Sequence, residues 1–265
     1  MYKDKSERKF IVNHKRLSVA FYSTVGDREN QQDSFDYYLE DVGGIFTICD
    51  GMGGHQGGEM ASSLASRNIV EIYREADENT PINEVLINAA KQTDKMVANL
   101  KNADGTQMDA GSTMVIVTIR ENTLHWLSVG DSRIYVKRGK DLVQVTFDHI
   151  YKAVLDEQLQ TKEITQAQYQ QEISKGNALI SYIGMGGLDL IDFNDDDFAL
   201  QSGDIILLMS DGLYKIVSDE EINTLLENFI DLNDVVQAIE SRAESNAKCK
   251  NVSRDNMTFT VIKMR

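Results

Sequence analysis

Ile45-Phe46-Thr47-Ile48-Cys49-Asp50-Gly51-Met52-Gly53-Gly54-His55 reads as a buried strand that runs into a carboxylate and then into a glycine-rich turn. The apolar and β-branched residues before Cys49 favour a strand. From Glu59 to Ala76, residues Ala61, Leu64, Ala65, Ile69 and Ile72 recur at helical spacing, so the turn leads from strand to helix. The same pattern appears three more times. Leu127-Ser128-Val129-Gly130-Asp131 and Leu207-Leu208-Met209-Ser210-Asp211-Gly212 each end an apolar run on an aspartate. Arg254-Asp255-Asn256 places one before the run from Met257 to Lys263. One Asp-Gly is ordinary turn chemistry. Four aspartates at the ends of core strands can converge when those strands stack, and carboxylates so gathered repel unless protonated or bridged by cations. An all-oxygen donor set suits hard ions, magnesium or manganese, rather than zinc. Glycines after Asp50 are expected to turn the backbone tightly and let the Gly51 carbonyl face an ion. A dinucleotide loop is the competing reading, but the spacing is not GxGxxG and Asp50 would repel a pyrophosphate.

Working outward, Thr113–Ile119, Leu124–Val129, Arg133–Lys137 and Asp204–Met209 also read as strands. Short turns at Arg120-Glu121-Asn122 and Gly130-Asp131-Ser132 predict antiparallel hairpins. Thr80 and Pro81 read as the N-cap and first residue of a helix carrying Ile82, Val85, Leu86, Ala89, Ala90 and Val97. Ser218 and Asn233 are the expected caps of two further helices. Strands, two helices, more strands and two more helices fit an α+β layered domain rather than an alternating parallel sheet. The stretch 148–177 is polar and glutamine-rich, with a helix expected after Thr165, where Thr165 and Gln168 resemble a capping box, and an end at Gly176. It reads as a flap, with His149 helping to anchor it. No linker composition or fixed repeat divides the chain, so one domain over residues 1–265 with a flap insertion at about 148–177 is expected.

The 265 residues are 42% hydrophobic and 26% charged, enough for a sizeable core and too apolar for wholesale disorder. Lysine and arginine number 27 against 42 acidic residues, a balance of −15 that argues against nucleic-acid binding. Such a protein repels an anionic substrate at long range unless bound cations reverse the field locally. Cys49 and Cys249 form no CxxC pair and read as two reduced thiols. Residues 1–16 carry no apolar signal region, and no run approaches the roughly 20 residues that span a bilayer. A cytoplasmic protein without a membrane partner is therefore expected. Arg28-Glu29-Asn30-Gln31-Gln32-Asp33 offers a guanidinium fork suited to phosphate, although a surface ion pair explains the arginine equally well from the residues alone. Asp192–Asp197 begins like a calcium loop but has Asp197 where glycine is needed and Gly203 where glutamate is needed, so it reads as a solvated acidic loop.

In this order the motifs resemble the metal-dependent protein phosphatases of type 2C, the bacterial branch in particular. The resemblance rests on Arg28 with Asn30–Asp33, Asp50–His55, Ala110-Gly111-Ser112-Thr113, Val129–Arg133, Asp148-His149, Gly203-Asp204, Ser210–Leu213 and Arg254–Thr258. It implies a four-layer α-β-β-α sandwich of two antiparallel sheets flanked by helices. It also implies two manganese or magnesium ions, with Asp50, Asp211 and Asp255 on one, and Asp50 with the Gly51 carbonyl on the other. Asp33 would reach the second ion through water, and Asp131 with Asp211 would hold a third, weaker ion. Arg28 would grip the substrate phosphate. The expected reaction is hydrolysis of phosphoserine and phosphothreonine in proteins by a water bridging two ions, with no phosphoenzyme and no role for Cys49 as nucleophile. The implied partners are phosphorylated proteins and a cognate serine/threonine kinase, with the phosphatase itself a monomer. Two departures stand out. Met52 occupies the position where eukaryotic members carry a histidine, leaving His55 either as the proton donor or as a turn-stabilising residue. Gln32 stands where many members have glutamate. Two other readings remain open here, a regulatory protein that keeps the fold without turnover and a hydrolase of small phosphoesters.

Overall fold

The computed structural model describes residues 8–54 and 56–265. In chain order come β1 (Arg8–Asn13), β2 (Leu17–Thr24), β3 (Asp33–Glu40) and β4 (Gly43–Gly53), then α1 (Gly57–Glu75) and α2 (Ile82–Ala98). Next are β5 (Ala110–Ser112), β6 (Met114–Arg120), β7 (Thr123–Val129), β8 (Arg133–Arg138) and β9 (Asp141–Gln144). They are followed by α3 (Tyr151–Gln160), α4 (Gln166–Glu172), β10 (Asp192–Phe193), β11 (Phe198–Ala199) and β12 (Ile205–Met209). The last elements are α5 (Asp211–Tyr214), α6 (Asp219–Asn228), α7 (Leu232–Lys250) and β13 (Met257–Met264).

The strands form two antiparallel sheets. One has the order β1-β2-β13-β12-β8-β9 and the other β10-β7-β6-β4-β3. Successive side chains of a strand point to opposite faces, and here both faces of each sheet are apolar. In β4, Phe46 and Ile48 face the first sheet, while Ile45 and Cys49 face α1 and α2. In β13, Ile262 and Met264 face the second sheet, while Phe259 and Val261 face α6 and α7. The result is the expected α-β-β-α sandwich with three apolar interiors. Burying one Phe or Ile contributes about 1.5–3 kcal/mol, whereas an exposed ion pair such as Lys15–Asp41 contributes about 0–1 kcal/mol. Packing between layers therefore dominates the fold.

Several boundaries differ from the sequence expectations. Residues 130–132 do not close a hairpin: β7 lies in the second sheet and β8 in the first, so this turn carries the chain across the sandwich. Thr80 does not cap α2; Pro81 occupies the cap position with no side-chain bond. Asp231, not Asn233, caps α7, accepting a bond from the Asn233 amide. Ser218 caps α6 in a reciprocal box with Glu221, as expected. The strands β1, β2 and β3 escaped the sequence reading. Two of them, β1 and β3, are edge strands, and Phe10, Phe35 and Tyr37 gather there around Phe21 of β2, the closest pair 4.5 Å apart. In the flap, the Thr165–Gln168 capping box is present, but α3 precedes it and had no cap signal in the sequence. No described helix is long and apolar enough to cross a membrane.

Candidate active site

All five aspartates singled out by the sequence lie at one end of the sandwich, where strands of both sheets terminate. Asp33 opens β3 and pairs in register with Asp50 of β4. Asp131 follows β7, Asp211 follows β12 as the first residue of α5, and Asp255 stands two residues before β13. Asp50 is inside its strand rather than in a turn: β4 continues to Gly53 and pairs there with β5. Gly51 lacks a side chain for a different reason from the one expected. A Cβ there would lie 2.1 Å from the Gly58 carbonyl oxygen, so the glycine lets the start of α1 press onto the strand. Gly212 plays the same part for α5, since its Cβ would meet the Asn256 carbonyl oxygen at 1.9 Å.

Backbone bonds fix the frame. The Asp50 amide donates to Thr113 Oγ1 at 3.0 Å, and the Asp50 carbonyl accepts from the Thr113 amide at 2.8 Å and from Ser112 Oγ at 3.1 Å. This gives the Gly111-Ser112-Thr113 motif its task. Asn256, buried, ties the Arg28–Gln32 loop to β13: its Oδ1 accepts from the Gln32 amide at 2.7 Å, and its Nδ2 donates to the carbonyls of Val25 and Asn30 at 2.9 and 3.0 Å. His149 anchors the flap as expected, accepting from the Gly130 amide at Nδ1 and donating its own amide to the Gly130 carbonyl at 2.9 Å. On the way back from the flap, Ile183 pairs with Ser112, and Tyr182 packs over Gly111 beside Met52.

The electrostatics of this end are those of a carboxylate cluster without enough positive charge. Burial is the main cause that pushes Asp33 up to about 7, and the nearby charges of Asp211 and Asp255 raise it further. Asp50 lies well above the ordinary carboxylate range, through burial first and then the charges of Asp33, Asp211 and Asp131. Asp131 is raised by burial and by Asp211. The side chains of the chain itself supply partial relief. Ser210 Oγ donates to Asp33 Oδ2 at 2.7 Å, and Tyr214 OH donates to Asp131 Oδ2 at 3.1 Å. Lys215 pairs with Asp211, and Arg28 Nη2 pairs with Asp255 Oδ2 at 2.6 Å. Among the described residues, no three histidine, cysteine, aspartate or glutamate side chains converge at chelating distance. Asp33 Oδ1 remains buried with no hydrogen-bond partner. An orphaned carboxylate oxygen in a buried all-oxygen cluster fits hard divalent ions.

Of the expected site residues, Asp33, Asp50, Asp131, Asp211 and Asp255 come together, with Gly51 adjacent. Arg28 lies beside Asp255 on a groove of about 400 Å³ lined also by Asn30, Gln32 and Gly53. His55 lies outside the described residues. Ser210, Tyr214, Lys215 and Asn256 were not assigned roles from sequence. All four flank the aspartate motifs, and that adjacency was the only signal available. A larger cavity of about 1030 Å³ sits at the opposite end, around Tyr38, Tyr73 and Arg120, and contains none of the five aspartates.

Comparison with known proteins bears on the family and the fold. The protein PhpP, a phosphatase of Streptococcus pneumoniae, is 29% identical over 252 residues, spanning 94% of this chain and 98% of its own. The solved serine/threonine phosphatase of S. agalactiae superposes with a TM-score of 0.79 at 22% identity, covering 94% of this chain and all of its own. The catalytic domain of the phosphatase PstP, solved in complex with two manganese ions, gives a TM-score of 0.72 at 23% identity over 94% of this chain and 98% of its own. The family description for protein phosphatase 2C matches residues 22–253, most of the sequence, and this chain is accordingly a phosphatase of the protein phosphatase 2C family.

Proposed function

We propose that the protein removes phosphate from serine and threonine side chains of other proteins, using divalent metal held by Asp33, Asp50, Asp211 and Asp255. The observation that carries the reading is the gathering of five aspartates from separate elements at one end of the sandwich, two of them raised above their ordinary range by burial first and by their neighbours' charges second. Bound manganese or magnesium supplies Lewis acidity there, acidifying a water nucleophile and offsetting charge on the phosphoryl oxygens. The two manganese ions of PstP support that choice.

The chain's own residues do the rest. Arg28 is mostly exposed, on a loop pinned from behind by Asn256, and its guanidinium fork is free to leave Asp255 for an incoming phosphate. Ser210 holds the Asp33 carboxylate in place through Oδ2, leaving Oδ1 buried without a hydrogen-bond partner and available to an ion. Met52, packed near Tyr182 and Gly111, presents an apolar wall where no proton can be donated. Proton donation to the departing hydroxyl therefore falls to His55 or to solvent. Cys49 is buried behind the sheet with its thiol pushed up to about 12, which removes it as a nucleophile. Domain 1–265, with its flap over 148–177, acts as one unit on phosphorylated proteins, and it opposes a serine/threonine kinase in the cytoplasm as a monomer.

The test is hydrolysis of a phosphothreonine peptide by the wild type with manganese, by the wild type after EDTA, and by Asp211→Asn. Turnover is expected only in the first. Turnover that survives both treatments overturns the reading. A parallel panel of small phosphoesters separates a protein substrate from a small one.

A further inference from the structure

Asp131 and Asp211 are the carboxylates that family resemblance would give to a third ion. In this chain each already has a partner, and both partners come from the same helical turn. Tyr214 OH donates to Asp131 Oδ2 at 3.1 Å. Lys215, four residues after Asp211, pairs its ammonium with the Asp211 carboxylate. Neither arrangement is casual. The Tyr214 ring is covered by the Arg133 guanidinium, whose central carbon lies 3.7 Å from the ring centroid. Arg133 is itself locked onto Asp148 by two bonds of 3.0 and 2.7 Å at the base of the flap. Tyr214 is therefore fixed at its hydroxyl by Asp131 and over its ring by Arg133. The Lys215 ammonium is half exposed, while the Asp211 side chain it meets is largely buried.

We propose that the Lys215 ammonium stands in for a third divalent ion at the Asp131–Asp211 edge, so that this protein holds two ions and not three. The inference rests on the metal-dependent reading above. A divalent ion seated between Asp131 and Asp211 has to displace the Lys215 cation and break the Tyr214 bond. It also has to sit near two other divalent ions, with repulsion that falls only as the inverse of distance. A tethered ammonium meets none of these obstacles, since it is a compact point charge already attached to the same turn. Lys215 is thus a positioning residue: it orients Asp211, which in turn would hold an ion, and it keeps that orientation independent of free metal concentration.

The experiment counts ions. The full chain, stripped with EDTA and dialysed, is titrated with manganese alone while free Mn2+ is read by electron paramagnetic resonance, with calorimetry in parallel. Wild type is expected to saturate at two ions. Lys215→Ala and Lys215→Met are expected to take a third, at least tenfold weaker, while Lys215→Arg stays at two. The Met variant keeps the aliphatic stem, and circular dichroism on each variant establishes that it folds. A wild type that binds three ions, or Ala and Met variants that fold and remain at two, overturns the inference and leaves the metal-dependent reading standing. A wild type that binds no ion overturns both.

Discussion

Replacing Asp33 with asparagine should make the metal-free protein more stable while weakening its response to metal. The Asp33 carboxyl, buried and opposite Asp50 in the β3–β4 ladder, is pushed from 3.8 up to about 7. A group whose folded value is raised keeps its proton in the folded state where the unfolded chain has released it. Stability therefore falls as pH climbs from about 4 to about 7 and stays low above that window. At 1.36 kcal/mol for each factor of ten, the rise sets a ceiling of about 4 kcal/mol on the penalty at pH 8. Asparagine removes the charge, and its Oδ1 still accepts the bond from Ser210 Oγ. Allowing for imperfect fit of the new amide hydrogens, Asp33→Asn should gain about 2–4 kcal/mol at pH 8 in EDTA, or roughly 5–10 °C in Tm. At pH 5 the gain should shrink below about 2 kcal/mol, because the wild-type carboxyl is then mostly protonated. With manganese the gap should narrow or close: wild type gains about 2.7 kcal/mol once the ion reaches a hundredfold its Kd, and the variant gains less. Urea denaturation at both pH values, with and without manganese, reads all four numbers. A variant that is less stable than wild type in EDTA at pH 8, or whose gain does not change with pH, refutes the argument that uncompensated charge strains this site.

Two further outcomes follow from particular contacts. Asn256→Ala leaves the Gln32 amide and the Val25 and Asn30 carbonyls without their buried partner, so it should cost about 2–4 kcal/mol by denaturation; because the freed segment carries Arg28, KM for a phosphopeptide should rise more than kcat falls, and an unchanged KM would show that Asn256 does not position that loop. A thiol reagent applied to the native protein should modify one cysteine, the exposed Cys249, and leave activity intact, while denaturant releases a second equivalent from buried Cys49; rapid loss of activity on labelling Cys49 in the native state would contradict its burial.

The sequence carried the centre of the molecule better than its margins. Ile45–Cys49, Leu207–Met209 and the run from Met257 are continuous apolar stretches because both faces of those strands are covered, and such stretches are visible without a partner. Strands β1 and β3 line the edge, where a half-polar sequence such as Asp33–Glu40 resembles a loop. The turn at 130–132 was read as a hairpin since its length permits one; only the packing of two sheets shows that it crosses between them. Asp50, Asp131 and Asp211 were legible because each follows an apolar run beside a glycine, and Asp255 because it precedes one; Asp33 took its role from the family resemblance. Lys215 and Tyr214 were not, since a lysine or tyrosine beside Ser210-Asp211-Gly212 has no meaning until β7 and β12 bring Asp131 and Asp211 to the same end.

Strand β13 lies between β2 and β12, in the middle of its sheet. Without it the pairs β1–β2 and β12–β8–β9 share no edge, and the sheet is two unconnected fragments. Residue 255 and its neighbour 256 arrive with that strand, and they are also what hold residues 28 and 32, more than 220 positions earlier in the chain. The site is therefore closed from both ends of the chain at once: the last strand carries the residues that fix the loop of Arg28 and Gln32, and it also joins the two halves of its sheet.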